Sequence, residues 1–233
     1  IRSEATGSGG IFVEPHLCVG CGACTTVCPT GALAYAYPGT VDQGRRLRTL
    51  LSTYARAGGA AHNGAATVLV HSEGAGGKLV EALGRAARTD RSVRGVPAGV
   101  LPIAAWHTAS LGLDLWPSAL AYGAGRVAIL LTDEEAPDYR EALAEQAAVA
   151  NAIWNGLGHV GTPLALVSAR DATDVATLDA ALQAPAAAPV KQAAAFATQA
   201  DKRATLELAL EHLLAQAPQA ADEIALPKAG SPY

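Results

Sequence analysis

The sequence lacks the features that would assign it to several common classes of protein. Apolar runs are short, as at Val127–Leu131, so no segment is long enough to cross a bilayer as a helix. Lysine and arginine form no block and the formal net charge is −4, which argues against a nucleic-acid platform. Charged residues are only 16% of the chain and apolar residues are 50%, which excludes a disordered acidic tail and predicts a packed core.

Methionine is absent, and the first ten residues contain neither a start methionine nor the apolar core of a secretory signal peptide. Because the chain also begins abruptly at Ile1, we expect it to be a piece of a longer protein. Its 233 residues suffice for one domain with an appendage or for two small domains.

Cysteine is missing from the whole chain except residues 18–28. Cys18, Cys21, Cys24 and Cys28 are followed by Pro29 in the spacing C-x2-C-x2-C-x3-C-P, the bacterial ferredoxin motif for a [4Fe–4S] cluster. Pairs this close make two unstrained disulfides difficult to form, and a structural zinc site normally uses two separated C-x2-C pairs. We therefore predict a [4Fe–4S] cluster on these four cysteines, with zinc as the main alternative.

The motif leaves the ligands of that cluster open. In two-cluster ferredoxins the fourth cysteine ligates the other cluster. By that rule Cys18, Cys21 and Cys24 hold one cubane and Cys28 belongs to a second, yet the chain has no second C-x2-C-x2-C. The partner motif would then lie upstream of Ile1, in another subunit or in a second copy of the chain. Alternatively, all four cysteines close on one cluster. We favour a missing or partner segment.

The residues on either side of the cysteines are typical of short strands. Gly10–Glu14 is a strand candidate, and Gly31–Tyr37 alternates between alanine and other residues before Pro38. Together with the motif they resemble half of a bacterial-type ferredoxin, in which two strands bracket the cluster loop. Gly20 and Gly22 have no Cβ atom, so backbone N–H groups can approach the cluster sulfides.

After residue 39 the chain alternates between apolar strands and amphipathic helices. The predicted strands are Thr67–His71, Gly99–Ile103, Arg126–Leu131 and Pro163–Val167, and the predicted helices are Asp42–Arg56, Lys78–Arg88, Ala109–Tyr122, Asp138–Leu157 and Asp174–Leu182. Continuously apolar strands are typical of a small parallel sheet flanked by helices, so we predict an α/β fold of flavodoxin-like or Rossmann-like type. The predicted divisions are a ferredoxin-like α+β segment at 1–39, the α/β domain at 40–183, and a linker, last helix (Asp201–Gln216) and tail at 184–233.

The order of elements from Gly99 to Arg140 resembles the delta subunit of methyl-viologen-reducing hydrogenases, an iron–sulfur, flavodoxin-like electron relay. That family has cysteines for a [2Fe–2S] centre at its strand ends, where this chain has Ala104–His107 and Thr132–Glu135. The resemblance therefore implies no second cluster here. The whole chain also resembles the C-terminal part of bacterial proteins with several [4Fe–4S] motifs. Some of these are associated with formate dehydrogenase, which implies such a partner.

A Gly-rich turn offers a second candidate site. Gly74, Gly76 and Gly77 follow a strand and open a helix, where a nucleotide or flavin phosphate would bind. The segment fits neither G-x-G-x-x-G nor the P-loop, so a plain turn is the favoured interpretation.

Several polar residues lie at the ends of predicted strands, and we favour a structural role for them. His107 and Asp114 follow the second strand, where open sheets often bind ligands. Asp133–Glu135 precede a helix whose dipole they complement. Ser110 beside His107 forms no nucleophile motif.

We predict an iron–sulfur electron-transfer module that passes single electrons to or from a partner oxidoreductase, and we favour a non-catalytic subunit over an enzyme. A second hypothesis is an assembly or docking protein whose cluster is structural or sensing. A third is a flavin- or nucleotide-dependent reductase using Gly74–Gly77. Because such clusters need reduced thiolates, we expect the cytoplasm. No nucleic-acid partner and no membrane span are predicted, and the oligomeric state stays open.

Overall fold

The computed structural model describes residues 2–4, 10–28 and 31–227, so Pro29 of the cysteine motif lies outside the described residues. The strands are β1 (Arg2–Glu4), β2 (Gly10–Phe12), β3 (Ala66–Ser72), β4 (Val100–Ala105), β5 (Ala124–Leu131) and β6 (Leu164–Ser168). The α-helices are α1 (Ala23–Val27), α2 (Thr40–Arg56), α3 (Gly59–Asn63), α4 (Ala75–Thr89), α5 (Leu115–Ala121), α6 (Pro137–Gly156), α7 (Val175–Leu182) and α8 (Lys202–Ala215). Short 3₁₀ turns lie at Thr108–Ser110 and Ala172–Asp174.

Four strands form one parallel sheet in the order β4-β3-β5-β6, which confirms the predicted α/β fold class. The central strands β3 and β5 are buried along their whole length, as continuously apolar strands covered on both faces should be. From β3 the chain passes to α4 on one face, and from β5 it passes to α6 on the other. The crevice between their carboxyl ends is the usual ligand position in open sheets of this kind.

Helices cover both faces of the sheet. One face carries α4 and α7, which pack against Leu69 and Leu130. The opposite face carries α2, α5, α6 and α8 around Val68, Ile129 and the buried Trp154. Since successive strand residues point to opposite faces, Val68 and Leu69 serve different layers.

The last helix belongs to this packing. Asp201 caps α8 by accepting a hydrogen bond from the Ala204 N–H at 2.8 Å. Leu206 and Leu213 of α8 are buried in the larger core, and α8 lies against α5. The predicted divisions after residues 39 and 183 stay predictions, although the C-terminal segment contributes to the core of the α/β part.

The strand predicted at Gly31–Tyr37 is wrong, because in the described chain these residues pair with no neighbouring strand. β2 covers only the first part of the predicted Gly10–Glu14, and it pairs antiparallel with the unpredicted β1. The alternation itself is present, since Leu33 and Tyr35 are partly buried and Ala32, Ala34 and Ala36 are exposed. Tyr35 is directed at the cysteine loop instead of at a strand, as its hydrogen bond to that loop shows.

The helix predicted at Ala109–Tyr122 is wrong at its N-terminal end, since α5 begins only at Leu115. The preceding residues pass beneath the cysteine loop, where a Cβ on Gly112 would lie 2.6 Å from Thr26 Cγ2. Pro117 then falls in the first turn of α5, where its missing N–H removes no helical hydrogen bond.

Among the helices of the described ranges, none is both long enough and apolar enough to cross a membrane.

Candidate metal centre

The cysteine loop, residues 18–28, turns at two glycines. Gly20 and Gly22 have φ of +69° and +79°, a conformation that residues with a Cβ adopt only at a cost. Gly22 is the N-cap of α1, and its carbonyl accepts hydrogen bonds from the N–H of Thr25 at 2.9 Å and from its hydroxyl at 2.7 Å. The loop is therefore compact, and its shape depends on residues without side chains.

Three of the cysteines, Cys18, Cys21 and Cys24, line one cavity of about 430 Å³. The start of α6 contributes Asp138 and Tyr139 to its wall, and most of the remaining lining is apolar. None of the four cysteines forms a disulfide. A cubane takes one ligand on each of its four irons and needs surroundings that limit water, so three thiols around a largely apolar cavity fit three of the four irons of this group.

Within the described residues, no three His, Cys, Asp or Glu side chains converge closely enough to hold a single metal ion. A multi-iron cluster distributes its ligands over several metal atoms, whereas a mononuclear site gathers them on one.

Cys28 is not among the residues that line this cavity. It lies on the side of Lys202, whose ammonium donates a hydrogen bond to the Thr25 carbonyl at 2.6 Å. Burial lowers the pKa of Lys202, while the charges of Asp114 and Cys28 act in the opposite direction. Burial also raises the pKa of Asp114. The fourth cysteine thus has surroundings different from those of the other three.

Hydrogen-bonding groups contact the sulfurs of Cys18 and Cys21. The Gly20 N–H donates to Cys18 Sγ at 3.4 Å. The Cys21 thiol donates to the Tyr139 hydroxyl at 3.6 Å, and when the sulfur is a thiolate this hydroxyl becomes the donor. The pKa of Tyr139 is raised, chiefly by its hydrogen bond to Cys21 and by the charge there, so its hydroxyl keeps the proton at neutral pH.

The loop is seated on the carboxyl end of the parallel sheet. The Thr26 hydroxyl donates to the Ala109 carbonyl in the turn after β4, and the Gln146 side chain of α6 donates to the Thr26 carbonyl at 3.5 Å. The Tyr35 hydroxyl donates to the Gly20 carbonyl at 2.6 Å. The loop is therefore held to the α/β part by the bonds of Thr26, and Tyr35 braces it from the segment that follows the loop.

The Gly-rich turn at the start of α4 has an internal partner. The Glu134 carboxylate accepts hydrogen bonds from the Ala75 N–H at 2.8 Å and from the Ser72 hydroxyl at 2.5 Å. The Gly76 N–H donates to the Ser72 hydroxyl at 2.9 Å. A protein carboxylate thus stands where the sequence placed a ligand phosphate, close to Gly74. Binding of a nucleotide or flavin by Gly74, Gly76 and Gly77 stays a prediction, and it would require displacement of Glu134.

The structure brings several of the other polar candidates to the cysteine loop. His107 packs its ring edge-on against Tyr139, with centroids 5.8 Å apart. Ser110 lies against Gly22, and Asp114 interacts electrostatically with Lys202. Glu135 instead is buried and accepts hydrogen bonds from Thr108 and Thr132, a structural role.

Sequence reasoning missed Tyr139 and Lys202 as neighbours of the cysteines. Tyr139 begins a helix that follows a central strand, and that position at the carboxyl edge of the sheet was the available signal. Lys202 lies more than a hundred residues away in sequence, and no local pattern marks it.

The family model for a 4Fe-4S binding domain matches residues 11–34, which include all four cysteines. No curated protein and no solved structure matches the chain. This segment therefore carries a [4Fe–4S] cluster, and its function is iron–sulfur electron transfer in the general sense. The resemblances to the hydrogenase delta subunit and to formate dehydrogenase-associated proteins stay predictions.

Replacing Gly22 by alanine should damage the metal centre more than replacing Gly20. Both changes strain a positive φ, at a cost of about 1–2 kcal/mol. A Cβ on residue 22 would also lie 2.6 Å from Ser110 Cβ, which is too close for two carbon atoms. A Cβ on residue 20 would lie no closer than 3.8 Å to its nearest neighbour, Trp106 Nε1. Iron and acid-labile sulfide per chain, with the midpoint of thermal unfolding, should fall further in Gly22→Ala than in Gly20→Ala. Equal losses would show that contact with Ser110 is not limiting.

Replacing Tyr139 by phenylalanine should lower the reduction potential of the cluster. A donor to a ligand sulfur stabilises the more negative, reduced state. Loss of a hydrogen bond of about 1 kcal/mol corresponds to roughly 40 mV for one electron. Tyr35→Phe is the matched control, because that hydroxyl donates to the Gly20 carbonyl rather than to sulfur. Redox titration followed by electron paramagnetic resonance measures both variants, and an unchanged potential in Tyr139→Phe would contradict the role of its hydroxyl.

Proposed function

We propose that this chain is an electron-transfer module in which Cys18, Cys21 and Cys24 hold a [4Fe–4S] cluster that exchanges single electrons with a partner oxidoreductase. The observation that carries the proposal is the arrangement of these three thiols around one largely apolar cavity. When bound, the cluster supplies one-electron storage. The chain's own residues exclude water, hold the thiolates in place and donate hydrogen bonds to them.

The proposed roles of individual residues follow from their contacts. Tyr139 and the Gly20 N–H direct donors at Cys21 and Cys18, and such donors favour the reduced state. Leu17 and Val27 lie at the rim of the cavity and limit access of water to it. These roles require no bond-making step in the α/β part, in keeping with a non-catalytic subunit.

We propose that Cys28 ligates a second cluster, and that another segment or subunit supplies the other ligands of that cluster and the fourth ligand of the first. The absence of Cys28 from the lining of the first cavity supports this assignment. The alternative, in which the loop rearranges so that all four cysteines bind one cubane, differs in a measurable way.

The exposed surface around the cavity supports a protein partner. Leu17 is 80% exposed and Val19 is 75% exposed, and Val27 and Trp106 are also largely exposed. Apolar side chains grouped at one place on a surface mark sites of protein contact. We call Leu17, Val19, Val27 and Trp106 the apolar rim, and we propose that a partner oxidoreductase covers it. A formate dehydrogenase as that partner rests on the sequence resemblance alone.

Transfer of electrons by the cluster itself tests the proposal against a structural or sensing role. The chain is reconstituted anaerobically with iron and sulfide, reduced with dithionite and mixed with a one-electron acceptor. We expect electron paramagnetic resonance to show a reduced cluster that the acceptor reoxidises. A preparation that holds no iron and sulfide would overturn the proposal. A cluster that never changes oxidation state would favour the assembly hypothesis instead.

Cys24→Ser and Cys28→Ser should have different effects on cluster content. Cys24 lines the cavity, so its loss should abolish the cluster, whereas Cys28 lies outside the cavity and its loss should leave most iron and sulfide in place. Iron and sulfide per chain and the spectrum of the reduced protein measure the difference. Loss of the cluster in both variants would mean that all four cysteines bind one cubane.

A double variant, Leu17→Gln with Val19→Gln, should slow electron transfer to a protein acceptor such as cytochrome c and leave transfer to ferricyanide unchanged. The side chains are exposed, so the fold is unaffected, and the neutral amides disfavour burial of the apolar rim without changing its charge. Val160→Gln is the control, because Val160 is 87% exposed and lies at the other end of the sheet. Equal rates in the double variant and the control would argue against the rim as the docking surface.

A further inference from the structure

A second cavity lies at the amino end of the parallel sheet, opposite to the cysteine loop. Its volume is about 860 Å³, which is within the range of small-molecule sites. It lies between the loop Gly158–Thr162 and the segment 184–191 that follows α7. The Ala187 N–H in this segment donates to the Gly125 carbonyl at 3.1 Å, which holds the segment across the end of the sheet.

The described lining of this cavity contains cationic side chains and no carboxylate. Arg126, near the start of β5, is only 8% exposed, and Lys191 lies at the rim and is exposed. His159 also lines the cavity, but burial lowers its pKa, which favours the neutral ring. A positive cavity is notable in a chain whose formal net charge is −4.

Arg126 is a buried cation whose charge is not paired by an acid. Its Nη1 donates to the carbonyls of Ala181 and Ala184, at 2.9 and 3.3 Å, at the end of α7. Within residues 31–227 no acceptor contacts its other N–H groups, and no carboxylate forms a salt bridge with it. Buried charges in proteins are normally paired. Capping of α7 accounts for one nitrogen of the guanidinium and leaves the others without a partner.

We propose that this cavity binds a small organic anion, with the oxyanion on Arg126 and an apolar body against the alanine, proline and valine side chains of the wall. A guanidinium presents parallel N–H donors that match the two oxygens of a carboxylate, and it also binds phosphate. Lys191 at the rim adds attraction for the anion as it enters. The proposal does not depend on the cluster, from which the cavity is separated by roughly 25 Å, the length of the eight-residue β5.

Three probes with the same phenyl body test the proposal on the full chain. They are benzoate, phenyl phosphate and the uncharged benzyl alcohol, each titrated while backbone amide NMR shifts are followed. We expect saturable shifts at Gly158–Thr162 with benzoate or phenyl phosphate and none with benzyl alcohol. The tighter of the two anions identifies the natural ligand as a carboxylate or a phosphate ester.

Variants separate the charge from the shape of the cavity. Arg126→Gln should weaken binding of the preferred anion by about tenfold or more, since charge-assisted bonds are lost. Lys191→Gln should weaken it by a smaller factor, while Lys78→Gln, another exposed lysine outside the cavity, should have no effect. Because Arg126→Gln also removes a helix cap, Ala188→Phe serves as a second variant, which fills the cavity and keeps the charge.

Three results would overturn the proposal. The first is the absence of saturable shifts around the cavity with either anion. The second is binding of benzyl alcohol as tight as that of the anions. The third is unchanged binding in both a folded Arg126→Gln variant and Ala188→Phe. A cluster-free preparation should bind the anion as well as the loaded one, so failure of the electron-transfer proposal would leave this result intact.

Discussion

The metal centre depends on the close backbone approach between Gly22 and Ser110. A short loop with cysteines at this spacing has little apolar surface of its own to bury, so it cannot be ordered by its own packing. It is ordered here because Gly22, without a Cβ, lies directly against the turn that follows β4. The same contact allows Thr26 to reach the Ala109 carbonyl and sets the direction of α1. Position and shape of the cysteine loop thus come from the α/β part.

The usual ligand crevice of the fold is filled from within. In open parallel sheets a ligand commonly lies at the carboxyl ends of two adjacent strands whose connections run to opposite faces of the sheet. Here Glu134 occupies that place and bonds to Ser72 and to the start of α4. The cysteine loop covers the neighbouring part of the same edge, over the turn after β4 and the start of α6. Since a fold can serve many functions, its chemistry has to be read from such local arrangements.

Much of the architecture could be predicted from local pattern. The four apolar strands and most helices lie within a few residues of their predicted bounds, because a strand buried on both faces has to be apolar throughout. The errors occur where the chain meets the cysteine loop. Gly31–Tyr37 keeps its alternation but has no strand partner in the described chain, and the first residues of Ala109–Tyr122 form the seat of the loop. Both segments are shaped by contacts with distant residues.

The sequence by itself determined the kind of cluster, since the spacing of the cysteines is local and is typical of one chemistry. It also determined the class of fold, because periodicity and apolar runs are properties of neighbouring residues. Only the tertiary structure decided which thiols share a cavity, that Cys28 lies apart from it, and that Tyr139 reaches Cys21. It likewise decided that Arg126 is buried beside a large cavity. Those relations join residues far apart in the chain, and they arise only when helices and strands pack into one core.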